Sequence, residues 1–409
     1  MISAGEASGD AHAAHALIAL RKRLAANGEN VTAFGMGGTT LESAGCELIV
    51  DNRDLSVIGF VDVLLNYPRF LKRLSRLRDE LRSRRPALLL IADYPDFNLK
   101  LAETARELDI PVLMYVAPQV WAWRAGRIPR IASRVSHMAV LFPFEVPIWT
   151  QAGLDTTCVG HPMVQTIDTH LSVAEARAQM GLAENSEVLA LLPGSRPGEI
   201  KRLLPLMLET ARHIVAVRPD CRFVLPRAPS IDAATIAELI SEERESARAA
   251  GMQAADIKML EPDQVASTTV MRAADVVLVA SGTATLETGL VGTPMVVVYQ
   301  VSAVNAALMR RLIKIPYLAL VNIIAERGVV PEFIQEHATA DAISVAVLTL
   351  LDSPDAREAM RTELQVIRQL LGDKDASEAV AKIMHELMHE LMHEFTKGLS
   401  EQPHAHLPR

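Results

Sequence analysis

Between Leu189 and Glu199 the chain reads Leu-Ala-Leu-Leu-Pro-Gly-Ser-Arg-Pro-Gly-Glu: an apolar run that breaks into a tight turn and then a helix. Between Val276 and Glu287 it does the same, Val-Val-Leu-Val-Ala-Ser-Gly-Thr-Ala-Thr-Leu-Glu. A strand that feeds a helix and is followed by another such strand belongs to a parallel sheet covered by helices on both faces. The turn after each strand also leaves backbone N–H groups free at a helix start, where an anion can sit. Arg196 adds a planar cation suited to phosphate, and Glu287 a carboxylate suited to ribose hydroxyls. The two turns together predict a nucleotide-sugar site in the second half of the chain.

The same alternation runs through the rest of the sequence. In the first half, strands are expected at Ile2 to Ala4, Val31 to Phe34, Ala87 to Ala92, Val112 to Val116 and Ser136 to Phe142. In the second half they are expected at Val188 to Leu192, Cys221 to Leu225, Ile257 to Leu260, Asp275 to Val279 and Met295 to Tyr299. At 409 residues the chain exceeds one ordinary core. The reading is two doubly wound domains in tandem with a cleft at the strand carboxyl ends, linked near Gly160-His161-Pro162. The boundaries expected are 1–163, 164–345, C-terminal helices over 346–397 and a disordered polar tail over 398–409. The first strand is short for a buried parallel strand, so either it is clipped or the true start lies upstream.

Composition excludes several classes. A net charge of −8 argues against nucleic acid as a partner. Cys46, Cys158 and Cys221 are too few and too scattered for a disulfide framework or a zinc site, and fit a reducing cytoplasm. No signal peptide is read, and no apolar run reaches the roughly 18–20 residues that span a bilayer. Charge is uneven, however. Eight Arg/Lys residues lie between Arg69 and Arg85, directly after the apolar Val57–Leu65 stretch, Tyr67 and Phe70. That composition suits either an interfacial membrane contact or a core helix with a solvated basic face.

Several constellations carry candidate chemistry. Gly5-Glu-Ala-Ser-Gly-Asp10 follows a strand and opens a helix, but its glycines are four apart and Glu6 would repel a pyrophosphate, so it is not a dinucleotide fingerprint. It either presents Glu6, Ser8 and Asp10 to a polyhydroxyl substrate or is a structural turn capped by Ser8 or Asp10. Asp93-Tyr-Pro-Asp-Phe-Asn98 sits at a strand's carboxyl end; Asp93 is favoured as general base, and Asp96 as the helix cap. Trp121, Trp123 and Arg124, with Arg127, Arg130 and Arg134, line a pocket for an anionic or acylated ligand or form a packed basic loop. Asn322 lies in a segment of weak strand pattern that ends in Glu326 to Gln335. His385-Glu-Leu-Met-His389-Glu-Leu-Met-His393 contains His-Glu-x-x-His twice. The match arises by duplication of Met-His-Glu-Leu at the chain end, so adventitious metal binding is expected rather than a zinc protease.

In order, Ser3–Asp10, Asp93–Asn98, Pro118–Arg124, Phe142–Glu145, Val159–Pro162, Leu192–Arg196 and Ala280–Glu287 resemble the lipid-A-disaccharide synthases, over nearly the whole chain to about Asp375. The resemblance implies a GT-B glycosyltransferase with two Rossmann-like domains. It implies inverting transfer of 2,3-diacylglucosamine from UDP-2,3-diacylglucosamine to 2,3-diacylglucosamine 1-phosphate (lipid X), with no cofactor or metal, at the cytoplasmic face of the inner membrane. It leaves room for a homodimer. Carried onto this chain, it assigns Gly194, Ser195, Arg196, Ser281, Gly282, Thr283, Glu287 and Asn322 to the donor and Asp93 or Asp96 to the base. The nearest alternative is another GT-B UDP-sugar enzyme, an epimerase or a cell-wall glycosyltransferase; a peripheral membrane protein with a vestigial nucleotide fold is a more distant one. If the Val57 to Arg85 segment is the membrane contact, replacing Phe60 and Leu64 by Ser weakens co-sedimentation with anionic liposomes; unchanged sedimentation rejects that role.

Overall fold

The computed structural model describes residues 1–53, 60–168, 170–302, 305–306, 311 and 315–400, with backbone alone over 60–67 and 391–400. The chain forms two compact units, one of Met1–Pro162 with Asp373 onward, the other of Met163–Gly372.

In the first unit the order is β1 (Ile2–Ala4), α1 (Ala7–Ala25), β2 (Phe34–Gly37), α2 (Thr39–Ser43), β3 (Glu47–Asp51), α3 (Phe60–Arg84), β4 (Leu89–Ala92), α4 (Pro95–Glu107), β5 (Val112–Tyr115), α5 (Ile128–Ala132), β6 (His137–Val140), α6 (Val146–Thr150) and β7 (Asp155–Cys158). The seven strands pair in the order β3-β2-β1-β4-β5-β6-β7, all parallel. Strands β4 and β5 are buried along their length, as their unbroken Leu-Leu-Ile-Ala and Val-Leu-Met-Tyr runs require. In α3, Leu74, Leu77 and Leu81 recur at helical spacing and are buried, while Arg69, Lys72, Arg76, Arg82, Arg84 and Arg85 are exposed. This part of the segment is a core helix with a solvated basic face. Residues 54–59, and the side chains of Phe60 and Leu64, lie outside the described residues.

In the second unit the order is α7 (Met163–Thr166), α8 (Val173–Gln179), β8 (Val188–Leu192), α9 (Pro197–Val217), β9 (Arg222–Pro226), α10 (Ala233–Ala249), β10 (Ile257–Leu260), α11 (Ser267–Ala273), β11 (Val276–Ala280), α12 (Thr283–Val291), β12 (Met295–Tyr299), α13 (Leu320–Ala325), β13 (Glu332–Ile334), α14 (Ala340–Asp352) and α15 (Pro354–Leu371). Its six strands pair in the order β10-β9-β8-β11-β12-β13, again all parallel. In both sheets the strand order reverses beside the unit's first strand, at β1/β4 and at β8/β11. Open α/β sheets bind ligands beyond the strand ends at this switch point.

The C-terminal helices do not stand apart as the sequence reading expected. Helices α14 and α15 belong to the second unit, and α16 (Ala376–Ser400) returns to the first and packs on α1. The cause is an apolar stripe, Ala376, Val380, Ala381, Ile383 and Met384, which α16 buries. Helix α16 also runs past Gly398, where the tail was expected to begin; residues 401–409 lie outside the described residues.

Asn98 ties β1 to β4. It is fully buried, its Nδ2 donates to the carbonyls of Ser3 (3.2 Å), Ala92 (3.1 Å) and Asp93 (2.9 Å), and its Oδ1 accepts from Ser3 Oγ (2.6 Å). Truncation removes these four hydrogen bonds from the core. Asn98→Ala therefore lowers stability by about 2–5 kcal/mol, read as a shift in the urea unfolding midpoint.

Candidate active site

Strands β1 and β4 end level, with Ala4 opposite Ala92. The turns that follow them share one small volume. Asp93 and Tyr94 both take left-handed backbone conformations, φ +51° and +41°, which cost non-glycine residues energy. The turn is held by Asn98 on its carbonyl and by the Asp93 carboxylate. Asp93 Oδ1 accepts from Gly5 N–H (2.8 Å) and Oδ2 from Glu6 N–H (3.2 Å), with the Gly9 N–H a further donor. The close fit explains two glycines. A Cβ on Gly5 would lie 2.4 Å from Tyr94 Cβ, and one on Gly9 would lie 1.8 Å from Asp93 Oδ2.

Burial pushes the Asp93 carboxyl up to about 7; the Gly5 N–H opposes this and the Glu6 charge adds to it. Asp93 borders a cavity of about 490 Å³ whose walls include Glu6, Tyr94, Met114, Val116, Val120 and Trp123, with Arg124 and Arg127 at its edge. Trp123 is 42% exposed, and the Arg124 guanidinium stacks over its ring at 4.0 Å. Here a half-buried carboxylate of raised pKa meets apolar walls and two arginines, a setting that can bind an amphipathic anion and take a proton from it.

Trp121 goes elsewhere. Its Nε1 donates to Glu145 Oε1 (3.2 Å), and its ring meets Phe144 edge-on, with Phe142 stacked behind. Burial among these rings pushes Glu145 up to about 7, against the Phe142 N–H and the indole.

In the second unit, Val279 lies opposite Leu192, so the turns after β8 and β11 are neighbours. Gly194 has φ +111°, which favours glycine, and a Cβ there would lie 2.5 Å from Glu199 Oε2. Glu199 folds back over the start of α9: Oε2 accepts from the N–H groups of Ser195 (3.2 Å) and Arg196 (3.3 Å), and Oε1 pairs with the Arg196 guanidinium (2.9 Å). A carboxylate thus lies on the N–H groups and the cation that sequence analysis assigned to an anion. The Arg196 side chain is otherwise 81% exposed. Beside it, Gly282 and Thr283 are exposed at the start of α12, and Glu287 is half-buried, its carboxyl raised by burial. Ser281 Oγ donates to the Leu318 carbonyl (3.0 Å).

A model of the lipid-A-disaccharide synthetase family matches residues 1–385. The chain belongs to that family. It is 40% identical over 381 residues to the lipid-A-disaccharide synthase of Syntrophus aciditrophicus, covering 93% of this chain and 95% of that one. With the enzyme of Geobacter metallireducens it shares 39% over 386 residues, 94% and 96% of the two chains. Among solved structures, it superposes on a UDP complex of Staphylococcus aureus MnaA (TM-score 0.59, 13% identity, 96% of each chain). It also superposes on the glycotransferase of kitacinnamycin (TM-score 0.56, 18% identity, 95% and 98%). Those likenesses show the fold, which is GT-B, and the family makes the chain a glycosyltransferase of lipid A biosynthesis.

Within this lipid-A-disaccharide synthase family member, some expected site residues do other work. Asp10 is buried, and its carboxylate accepts from the N–H groups of Gly38 (2.6 Å), Thr40 (3.0 Å) and Leu41 (3.4 Å), anchoring α2. Neither Asp10 nor Ser8 caps α1, which starts at Ala7 with Glu6 before it; Glu6 and Ser8 are exposed, and Glu6 borders the Asp93 cavity. Asp96 is not a cap either. It sits in the first turn of α4, its side chain 73% exposed, paired with Arg127. Asn322 is buried, accepting from the Val329 (2.7 Å) and Val330 (2.9 Å) N–H groups and donating to the Val330 carbonyl and Glu332, so it braces the loop into β13. Glu199 received no role from sequence, although a glutamate three residues after the residue that precedes a helix is a capping signal. Gly9→Ala should displace the Asp93 carboxylate and cut turnover by about a hundredfold; kinetics with an unchanged unfolding midpoint would check this.

Proposed function

We propose that this enzyme transfers 2,3-diacylglucosamine, with inversion, from UDP-2,3-diacylglucosamine to the sugar hydroxyl of 2,3-diacylglucosamine 1-phosphate, releasing UDP and the lipid A disaccharide 1-phosphate. Family membership implies a UDP-sugar donor and a lipid acceptor. The observation that carries the finer reading is Asp93: a carboxylate at the switch point, raised to about 7, on the wall of a cavity with apolar and cationic sides. Asp93 takes the proton from the acceptor hydroxyl as it attacks the anomeric carbon. Trp123, Met114 and Val116 suit the acyl-bearing body of the acceptor, and Arg124 and Arg127 its phosphate. UDP departs as a stabilised anion and requires no general acid, so one base suffices. The N–H groups of Ser195 and Arg196 and the Arg196 guanidinium receive the diphosphate as Glu199 gives way, and Glu287 holds the ribose. The acyl chains of both substrates place the reaction at a membrane surface. We assign the contact to the Val57 to Arg85 segment, with the exposed basic face of α3 toward anionic headgroups and Leu74, Leu77 and Leu81 kept in the core, at the cytoplasmic face of the inner membrane.

The test is a thin-layer assay with UDP-diacylglucosamine and radiolabelled lipid X, with EDTA present, across pH. Because the pKa of Asp93 is raised, its carboxylate is present above about pH 7 and protonated below it. The rate should therefore fall as pH drops through about 7, and Asp93→Asn should lose that limb together with about 10²–10⁴ in kcat. Arg196→Ala should lose about 10²–10³. Absence of disaccharide, or wild-type turnover in Asp93→Asn, rejects the reading.

A further inference from the structure

The histidine repeat at the chain end meets a residue from near the start of the chain. On α16, His385 and His389 lie one turn apart on the same face, their rings edge-on with centroids 4.4 Å apart. Facing them is Glu29, from the turn that follows α1 in the same unit. Its Oε2 lies 3.8 Å from His385 Nε2 and 3.9 Å from His389 Nε2. One ligand atom from each residue falls within 4.8 Å of the other two. His385 Nε2 is buried and has no hydrogen-bond partner. An imidazole nitrogen removed from water and left unpaired is costly, and a metal ion would satisfy it.

We propose that Glu29, His385 and His389 bind one divalent transition-metal ion of the zinc class, with water completing the coordination. The donor set decides the class. Two imidazoles and one carboxylate suit Zn²⁺ and its neighbours Co²⁺ and Ni²⁺, whereas Mg²⁺ and Ca²⁺ take oxygen ligands. Bonds of about 2.0–2.2 Å around a tetrahedral ion need donor atoms about 3.4 Å apart. The present separations close to that value by rotamer adjustment of Glu29 and His389, whose side chains are about half exposed, 45% and 53%. A cavity of about 530 Å³ beside His385, bordered by Asn27, Asp375 and Glu378, gives a hydrated ion a way in.

The bound ion would join the last helix to the α1–β2 turn, two segments at opposite ends of the sequence. The family match stops at residue 385, so His389 lies beyond it and the site is an addition to the family's common part. None of its three residues is among those assigned to the transfer reaction, and its role is to clamp α16 rather than to serve that reaction.

The experiment is titration of the full chain, prepared without a polyhistidine tag, with Co²⁺. Visible absorption reads tetrahedral coordination, Zn²⁺ displacement reads affinity, and thermal unfolding is followed in parallel. We expect one equivalent bound, a rise in Tm with Zn²⁺ but not with Mg²⁺, and reversal by EDTA. Glu29→Gln and His389→Ala should each weaken binding at least about tenfold and abolish the Tm rise. Their unfolding in EDTA and their transferase activity should match wild type, because neither residue is in the reaction site. Glu29→Gln separates a built site from an adventitious one: binding by a run of histidines survives that change, and a Co²⁺ spectrum and affinity unaltered by it would overturn the proposal. So would the absence of binding at about 0.1 mM metal, where a site that stabilises the fold must be filled.

Discussion

In a parallel sheet whose central strands end level, the turns that follow must share the space above two adjacent strands. Ala4 opposite Ala92 sets that condition in the first unit, and Leu192 opposite Val279 sets it in the second. The Asp93 turn can occupy its share only because Gly5 and Gly9 carry no Cβ, and it stays left-handed only because its carboxylate and carbonyl are both bonded. Conformational strain, the glycines and the raised pKa are thus consequences of one register. The β1–β4 pairing places a carboxylate where water is scarce, and there the cost of burial outweighs the backbone N–H groups it accepts from, so it holds its proton to higher pH.

The second unit uses the same geometry for the opposite purpose. Its turn after β8 collects donors instead of an acid, and the anion lying on them is the chain's own Glu199. An ion pair on so exposed an arginine is worth about 0–1 kcal/mol. On the proposed reading, a diphosphate would bring more charge and more acceptor oxygens to the same N–H groups and displace Glu199 at small cost. Glu199 meanwhile satisfies the N–H groups at the helix start and holds the loop in place.

The strands that sequence analysis located are the ones written as continuous apolar runs, such as Val188–Leu192 and Met295–Tyr299, because strands buried on both faces admit nothing else. The strands it missed, β3, β7 and β13, lie at sheet edges. There Glu47 and Asp51, or Asp155 and its two threonines, face solvent and break the pattern. Phe34 was expected at the end of a strand and instead begins one, since Gly35 must approach Ile2, whose carbonyl oxygen would lie 1.8 Å from a Cβ there. The site was legible to the extent that it is local. Turns read as turns, but Asp10 and Asn322 looked like free polar groups because their partners, Gly38 and Val330 among them, are set by tertiary contacts. The pairing of Glu29 with His385 belongs to the same class, since no spacing along the chain connects the two ends of a unit that closes on itself.

Titration alone does not single out the base. Asp93 and Glu145 are both carboxyls pushed up to about 7 by burial, and each accepts from backbone N–H groups. Their surroundings separate them. Glu145 is closed in by Trp121 and the Phe142–Phe144 stack, its oxygens committed to the indole and to the chain that carries it; its charge holds a loop together. Asp93 has backbone donors behind it and an open cavity in front, so the proton it takes can come from a ligand. Asp96 fails on the other side: it is exposed to water, and its carboxylate is already paired with Arg127. The general base of the proposed reaction has to be a carboxyl that is partly buried and has an open side through which to use it, and of these three Asp93 alone has both.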